Sequence, residues 1–203
     1  MIINLLRKQH MTSLELPSRI MGQYWISDIE DGEEKEMIAV EGIDGHWELK
    51  MNKNYGFEDK NIKSLILQEN QIYQLCDHKK ESLFIYVEKD DKQSMYKKYQ
   101  LSADEITIGR NKDNAICLHN MLVSGNHCKL VKRSDAWEIL DLHSTNGTFV
   151  NQINCNRKEL RLGDSIYILG IKIIFGTDFI SISMREDVSI DESKLVPMSF
   201  IPI

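Results

Sequence analysis

Three short clusters in the second half of the chain carry groups that can bind an anion. They are Gly109-Arg110, Ser124-Gly125-Asn126-His127 and Ser144-Thr145-Asn146-Gly147-Thr148, the last followed by Phe149-Val150-Asn151. A guanidinium fork donates two parallel, charge-assisted hydrogen bonds to a carboxylate or phosphate. Ser and Thr hydroxyls beside it add neutral donors. Each cluster alone has an ordinary reading. Arg110 can pair at the surface with Asp113 or Asp141, and Ser124 can be a turn residue or cap. Beside Ser124 and Thr145, Arg110 reads as the anchor of an anion site. His119 and His143 flank the same loops, but no carboxylate or cysteine falls at metal-ligand spacing with them. No nucleophile–base pair, cofactor loop or metal cluster is evident, and no G-x-x-x-x-G-K-[ST] phosphate loop occurs. The expectation is a binding module without catalytic residues, metal or cofactor.

The elements that must position these clusters read as strands. Runs of four to eight residues, rich in β-branched and aromatic types, alternate with polar or Gly-containing turns. Examples are Met37–Val40, His46–Met51, Gln71–Leu75, Ser82–Glu88, Glu105–Gly109, Ala115–Leu118, His127–Val131, Ala136–Leu140, Ser165–Leu169 and Lys172–Phe175. With only three prolines and no sustained helical period, the pattern predicts an all-β sandwich or barrel.

An internal repeat divides the chain. His46–Lys50 reads HWELK and Ala136–Leu140 reads AWEIL; Leu65–Leu75 reads LILQENQIYQL and Leu160–Leu169 reads LRLGDSIYIL. The two Trp residues are 90 positions apart, and Ile72 and Ile166 are 94 apart. A unit of this length occurring twice predicts two sandwiches, with a boundary in the charged stretch near Asp90–Gln93. The copies differ where the clusters lie. From Ile108 to Trp137 is 29 residues, whereas the comparable apolar strand of copy one, Tyr24–Ser27, begins some two dozen residues before Trp47. Copy one carries instead the acidic segment Asp28–Glu36, expected as a solvated loop unsuited to an anion.

Bulk properties exclude several classes. The chain has 203 residues, room for two domains of common size. A net charge of −6 argues against nucleic acid as the partner, since phosphate backbones select basic surfaces. Cys76, Cys117, Cys128 and Cys155 form no C-x-x-C pair and read as reduced thiols. Met1–Arg7 is too short and polar for a signal peptide, and no apolar run has the ~18 residues of a membrane span. The apolar end Leu195–Ile203 suggests a fragment of a longer polypeptide, with docking onto the domain as the alternative.

The three clusters in this order, with 14 residues from Arg110 to Ser124 and 17 from His127 to Ser144, resemble the signature of the forkhead-associated (FHA) domain: G-R, S-x-x-H, S-x-N-G-T-x-x-N. The resemblance covers residues 95–184 and implies a β-sandwich that binds phosphothreonine through loops at one end. Arg110 then matches the phosphate-binding arginine, Ser124 and Thr145 the hydroxyl residues reaching the phosphate, and Asn146 the asparagine that holds the peptide main chain. Gly109, His127, Gly147, Thr148 and Asn151 match positions that support the loops: a tight turn at Gly109, a brace at His127, positive φ at Gly147. Two departures stand out. Gly125 occupies a position where the family often has Arg, Lys or Asn touching the ligand, and Gln152 stands where a Gly usually follows the Asn. Lys112, Lys129 and Arg157 are candidates for compensating charge.

Copy one lacks all three clusters and resembles a degenerate FHA domain. The tandem arrangement is similar to the cytosolic N-terminal region of the FtsK/SpoIIIE-type ATPases of Firmicutes type VII secretion systems. That resemblance implies domains at 1–90 (degenerate sandwich) and 91–185 (FHA sandwich), with 186–203 a linker toward a missing membrane segment. It also implies a place on the cytoplasmic face of the cell membrane, an ATPase activity confined to the absent part, and other secretion subunits as partners. Two functions follow as expectations: recognition of a phosphothreonine-containing protein, or phosphate-independent scaffolding of secretion subunits.

Overall fold

The computed structural model describes residues 1–7, 10–30, 33–57, 62–77, 80–88, 96–183 and 185–198, with 28–30 and 33–37 by backbone only. Every regular element among them is a β-strand. The chain divides into two compact units, Met1–Gln93 and Ser94–Ile203. The charged stretch at 90–93 lies outside the described residues.

The first unit contains β1 (Ile2–Arg7), β2 (His10–Glu15), β3 (Gly22–Glu30), β4 (Glu33–Ile43), β5 (His46–Lys50), β6 (Tyr55–Gly56), β7 (Ser64–Ile66), β8 (Ile72–Asp77) and β9 (Ser82–Glu88). One sheet runs β2-β1-β9-β8-β6 and the other β3-β4-β5-β7. Strand alternation aims every second side chain inward. Ile3, Leu5, Leu75 and Ile85 from one sheet therefore meet Ile26, Ile38, Val40, Trp47 and Leu49 from the other in one core. The acidic segment Asp28–Glu36 is not a loop. It forms the far ends of β3 and β4, with Ser27 opposite Glu36 and Glu30 opposite Glu33, so ladder bonds satisfy backbone groups that a loop would leave to water. Residues 31–32 lie outside the described set.

The second unit contains β10 (Tyr96–Leu101), β11 (Glu105–Gly109), β12 (Ile116–Leu118), β13 (Cys128–Arg133), β14 (Ala136–Asp141), β15 (Phe149–Val150), β16 (Ile153–Asn154), β17 (Arg157–Glu159), β18 (Ser165–Ile168), β19 (Ile171–Gly176), β20 (Phe179–Ser183), β21 (Val188–Ile190) and β22 (Leu195–Pro197). Its sheets run β22-β10-β20-β19-β18-β15-β16 and β17-β14-β13-β11-β12-β21. Ile106, Ile108, Leu130, Ile139, Phe149, Ile166, Ile173 and Ile180 are fully buried. The parallel pair β11–β12 sets Ile108 beside Ile116 and Gly109 beside Cys117. The connections β11–β12, β12–β13 and β14–β15 carry the three sequence clusters.

The segment from 186 is not a linker as far as residue 197. β21 pairs with β12 and β22 with β10. Val188 and Leu195 are buried and tie the segment to the core, while Val196 and Met198 are exposed. Pro197 is tolerated because β22 is an edge strand. Residues 199–203 lie outside the described set.

Candidate functional site

The three connections are held together by a dense set of backbone bonds. Arg110 N donates to Ser124 O at 3.0 Å, Asn111 N to Gly125 O at 3.0 Å, and His127 N to Ile108 O at 2.9 Å. This close approach explains Gly109. Its φ is ordinary, but a Cβ there would lie 2.4 Å from Gly125 O and 2.8 Å from His127 N. The expected tight turn is thus a close crossing of two loops. At Gly147 the expected positive φ is present, at +80°, and a Cβ would also meet Asn154 Nδ2 at 2.3 Å.

Arg110 leaves β11 exposed. Its Nε donates to Val123 O at 3.1 Å, which tethers the guanidinium to the neighbouring loop. Among the described residues Arg110 forms no ion pair; neither Asp113 nor Asp141 takes it. Asp141 is committed elsewhere, as shown below. Ser124 Oγ accepts from Thr145 N at 3.0 Å and lies 3.4 Å from Thr145 Oγ1, so two hydroxyls from separate loops stand side by side. Asn146 Nδ2 donates to Leu122 O at 2.8 Å, leaving its carbonyl oxygen and second N–H for another partner.

His127 is fully buried. Its Nε2 donates to Gly147 O at 3.1 Å, while Nδ1 faces Ser124 N at 3.4 Å. This pairing requires the neutral ring with its proton on Nε2. Burial holds the imidazole below its ordinary pKa, against smaller opposing effects of the Gly147 carbonyl and Asp141. Thr148, also buried, donates from Oγ1 to Asp141 Oδ2 at 2.5 Å. Asn151 closes the set: its Nδ2 donates to Asp164 Oδ1 at 2.7 Å and its Oδ1 accepts from Ser165 N at 2.9 Å.

Two organising residues escaped the sequence reading. Asp141 accepts from Ser144 N at 2.8 Å, from Ser144 Oγ at 2.5 Å and from Thr148 Oγ1, shaping the whole 144–148 loop. Its signal was a carboxylate three residues before Ser144, the spacing of an Asx turn. Asn114, buried, donates from Nδ2 to both Asn111 O at 2.9 Å and Gly125 O at 2.8 Å; a lone loop asparagine gave no signal. Of the suggested compensating cations, Lys129 pairs with Glu105 at 2.9 Å and Arg157 with Glu138 at 2.7 Å, leaving exposed Lys112 nearest the site in sequence. Among the described residues no group of three or more His, Cys, Asp or Glu is placed to hold a metal ion. No helix among them is long and apolar enough to cross a membrane.

The crossing loops of this β-sandwich thus bring together an arginine, two hydroxyls and an asparagine as a candidate binding site. The FHA domain model matches residues 106–169, which lie within the second unit. Both units together share the fold of the N-terminal FHA domain from EssC, a component of the bacterial type VII secretion apparatus. The TM-score is 0.65 at 12% identity, covering 98% of each chain. Among curated relatives, the oxoglutarate dehydrogenase inhibitor of Corynebacterium jeikeium is 32% identical over 78 residues, 38% of this chain and 54% of that protein. The E3 ubiquitin-protein ligase CHFR of Xenopus laevis is 41% identical over 70 residues, 32% of this chain and 11% of that protein. The chain thus spans about half of one relative and a tenth of the other, and what they share with it is the module.

Proposed function

We propose that the second unit recognises a phosphothreonine-containing protein through Arg110, Ser124, Thr145 and Asn146, with Gly109, His127, Gly147, Thr148 and Asn151 holding the loops. A phosphothreonine carries about −1.5 to −2 charge and three acceptor oxygens. The observation that carries the reading is the arginine itself. Its guanidinium is exposed, unpaired among the described residues, tethered through Nε, and shares its loops with the Ser124–Thr145 hydroxyl pair. Asn146, already anchored to Leu122 O, presents a carbonyl and an N–H to an extended peptide main chain.

The fold shared with the EssC domain supports a setting in the type VII secretion machinery, at the cytoplasmic face of the cell membrane, with its subunits as partners. A second reading, phosphate-independent scaffolding, draws on the first unit, where β3 and β4 stay paired out to Glu30 and Glu33 and, among the described residues, no such loops are present. Titration with a phosphothreonine peptide library separates the two. Binding that requires the phosphate, and that Arg110→Ala weakens about 10–100-fold, the cost of a charged hydrogen bond, is the expected result. A folded protein that binds no phosphopeptide, or a partner complex indifferent to phosphatase and to Arg110→Ala, overturns it.

A further inference from the structure

Gly125 follows Ser124 directly and offers the ligand no side chain. The space beside it is nevertheless filled. A Cβ built on Gly125 would lie 2.9 Å from Asn111 Oδ1, 3.0 Å from its Nδ2 and 3.2 Å from its Cγ. The carboxamide of Asn111 therefore lies where a side chain of residue 125 would begin. Its backbone is clamped there: Asn111 N donates to Gly125 O at 3.0 Å, and Asn111 O accepts from Asn114 N at 3.1 Å and from Asn114 Nδ2 at 2.9 Å. Asn114 Nδ2 also holds Gly125 O, at 2.8 Å, so both residues hang from one buried amide.

The Asn111 side chain itself is uncommitted. Residue 111 is exposed, and among the described residues its carboxamide has no hydrogen-bond partner. It directly follows Arg110 and lies over the residue directly following Ser124. An exposed amide needs no partner for stability, but one whose backbone is fixed between an anion-binding arginine and serine loses little freedom on meeting a ligand.

We infer that Asn111 is a ligand-binding residue of this site, donating from its carboxamide to the phosphorylated segment in place of a side chain at 125, and that glycine at 125 is what makes room for it. The inference rests on the phosphothreonine reading above and adds a coupling between two loops that a purely structural Asn111 would not show.

The test uses the full chain and a single phosphothreonine peptide selected from a library on the wild-type protein, with its unphosphorylated form as control. Asn111→Ala is expected to lower affinity about fivefold, the worth of a neutral hydrogen bond, with an unchanged unfolding midpoint. Gly125→Asn alone is expected to weaken binding, because the new side chain meets the Asn111 amide. The double variant, with space and a replacement carboxamide, is expected to return to within about twofold of wild type, the non-additivity that contacting residues show. If Asn111→Ala binds like wild type while Arg110→Ala does not, Asn111 has no ligand role and the phosphothreonine reading stands without it. If Gly125→Asn alone strengthens binding, the space at 125 was vacant and the inference falls. If the wild-type protein selects no phosphopeptide, the site reading fails and takes this inference with it.

Discussion

The two units share a set of equivalent backbone bonds and differ in what is built around them. Leu67 N donates to Trp47 O at 2.8 Å, as Leu160 N does to Trp137 O at 2.8 Å. Asn70 N meets Val87 O at 2.7 Å where Gly163 N meets Phe175 O at 2.8 Å, and Met51 N meets Lys63 O where Asp141 N meets Asn156 O, both at 2.9 Å. These pairs make β5, β7, β8 and β9 the counterparts of β14, β17, β18 and β19. The strand beside β9 is then β1, from the start of the unit, whereas the strand beside β19 is β20, from after it. Register also equates Ile26, opposite Ile38, with Ile108, opposite Cys128. By that count Asp28 stands where Arg110 does, Met37 where His127 does, and Met51 where Asp141 does. β12 and both loops around it have no counterpart. The sandwich thus forms without these loops, and at these three positions the first unit carries residue types that cannot do what Arg110, His127 and Asp141 do in the second.

Transplanting the first unit's residues should break the second unit's site, most severely at Asp141. Asp141→Met removes the acceptor of three hydrogen bonds and leaves the Thr148 hydroxyl buried without it. A loss of about 3 kcal/mol is expected, read by denaturant unfolding, together with loss of phosphopeptide binding. An unchanged midpoint would mean that the 144–148 loop is held by other means. Gly109→Ala comes next. Its counterpart, Ser27, carries a side chain and accepts from Thr12 Oγ1 at its carbonyl; at 109 the Cβ would strike Gly125 O. Overpacking against backbone is expected to cost about 2 kcal/mol. A crystal of the variant with the loops undisplaced would refute the crossing as the reason for glycine.

His127 gives the comparison a pH dependence that Met37 cannot have. Burial depresses its folded pKa below the ordinary 6.5. Between the two values the unfolded chain binds the extra proton, so stability rises with pH there. The contribution is complete above about pH 6.5, the unfolded value, and is lost as pH falls from there toward the folded pKa. The ligand-free protein is expected to show this decline, and His127→Gln, which keeps a donor toward Gly147, is expected to lack it. Matching pH profiles for the two proteins would assign the decline to other groups.

Much of this was legible in the sequence because it depends on local pattern. Alternation marked β5 and β14, the repeat marked the duplicated frame, though it paired Ile72 with Ile166 where the register equates Ile72 with Ser165, and the spaced clusters marked the loops. What escaped depends on contacts between distant segments. Nothing in Ile2–Arg7 says that β1 fills the place taken by β20 in the other unit, since both are apolar strands. Asp28–Glu36 has loop composition, yet once the intervening residues are gone the ladder continues through it. Asn111 and Asn114 are unremarkable in a polar loop until Gly125 is folded against them. The linker reading of 186–197 failed because Val188 and Leu195 find their core only when β12 and β10 are in place.

The smallest expected effect concerns the hairpin turns. The first unit's β4–β5 turn uses Asp44 and Gly45, at φ 50° and 80°, between the paired Ile43 and His46. The second unit's β15–β16 turn uses Asn151 and Gln152, at φ 51° and 68°, between the paired Val150 and Ile153. Both are two-residue loops with positive φ at both positions, the type I′ form whose twist suits a hairpin. Asn151 is suited to it and is held by Asp164 and Ser165. Gln152 is exposed and bears the cost of a left-handed residue with a Cβ, about 1 kcal/mol. Glycine there relieves that strain but loses more chain entropy on folding, by about 0.5 kcal/mol. Gln152→Gly is therefore expected to raise the stability of the second unit by about 0.5 kcal/mol, and Gly45→Gln to lower that of the first by a similar amount. The two unfolding transitions should shift in opposite directions; a Gln152→Gly variant no more stable than wild type would show that the Asn151 bonds, not the turn residues, set the energy of this hairpin.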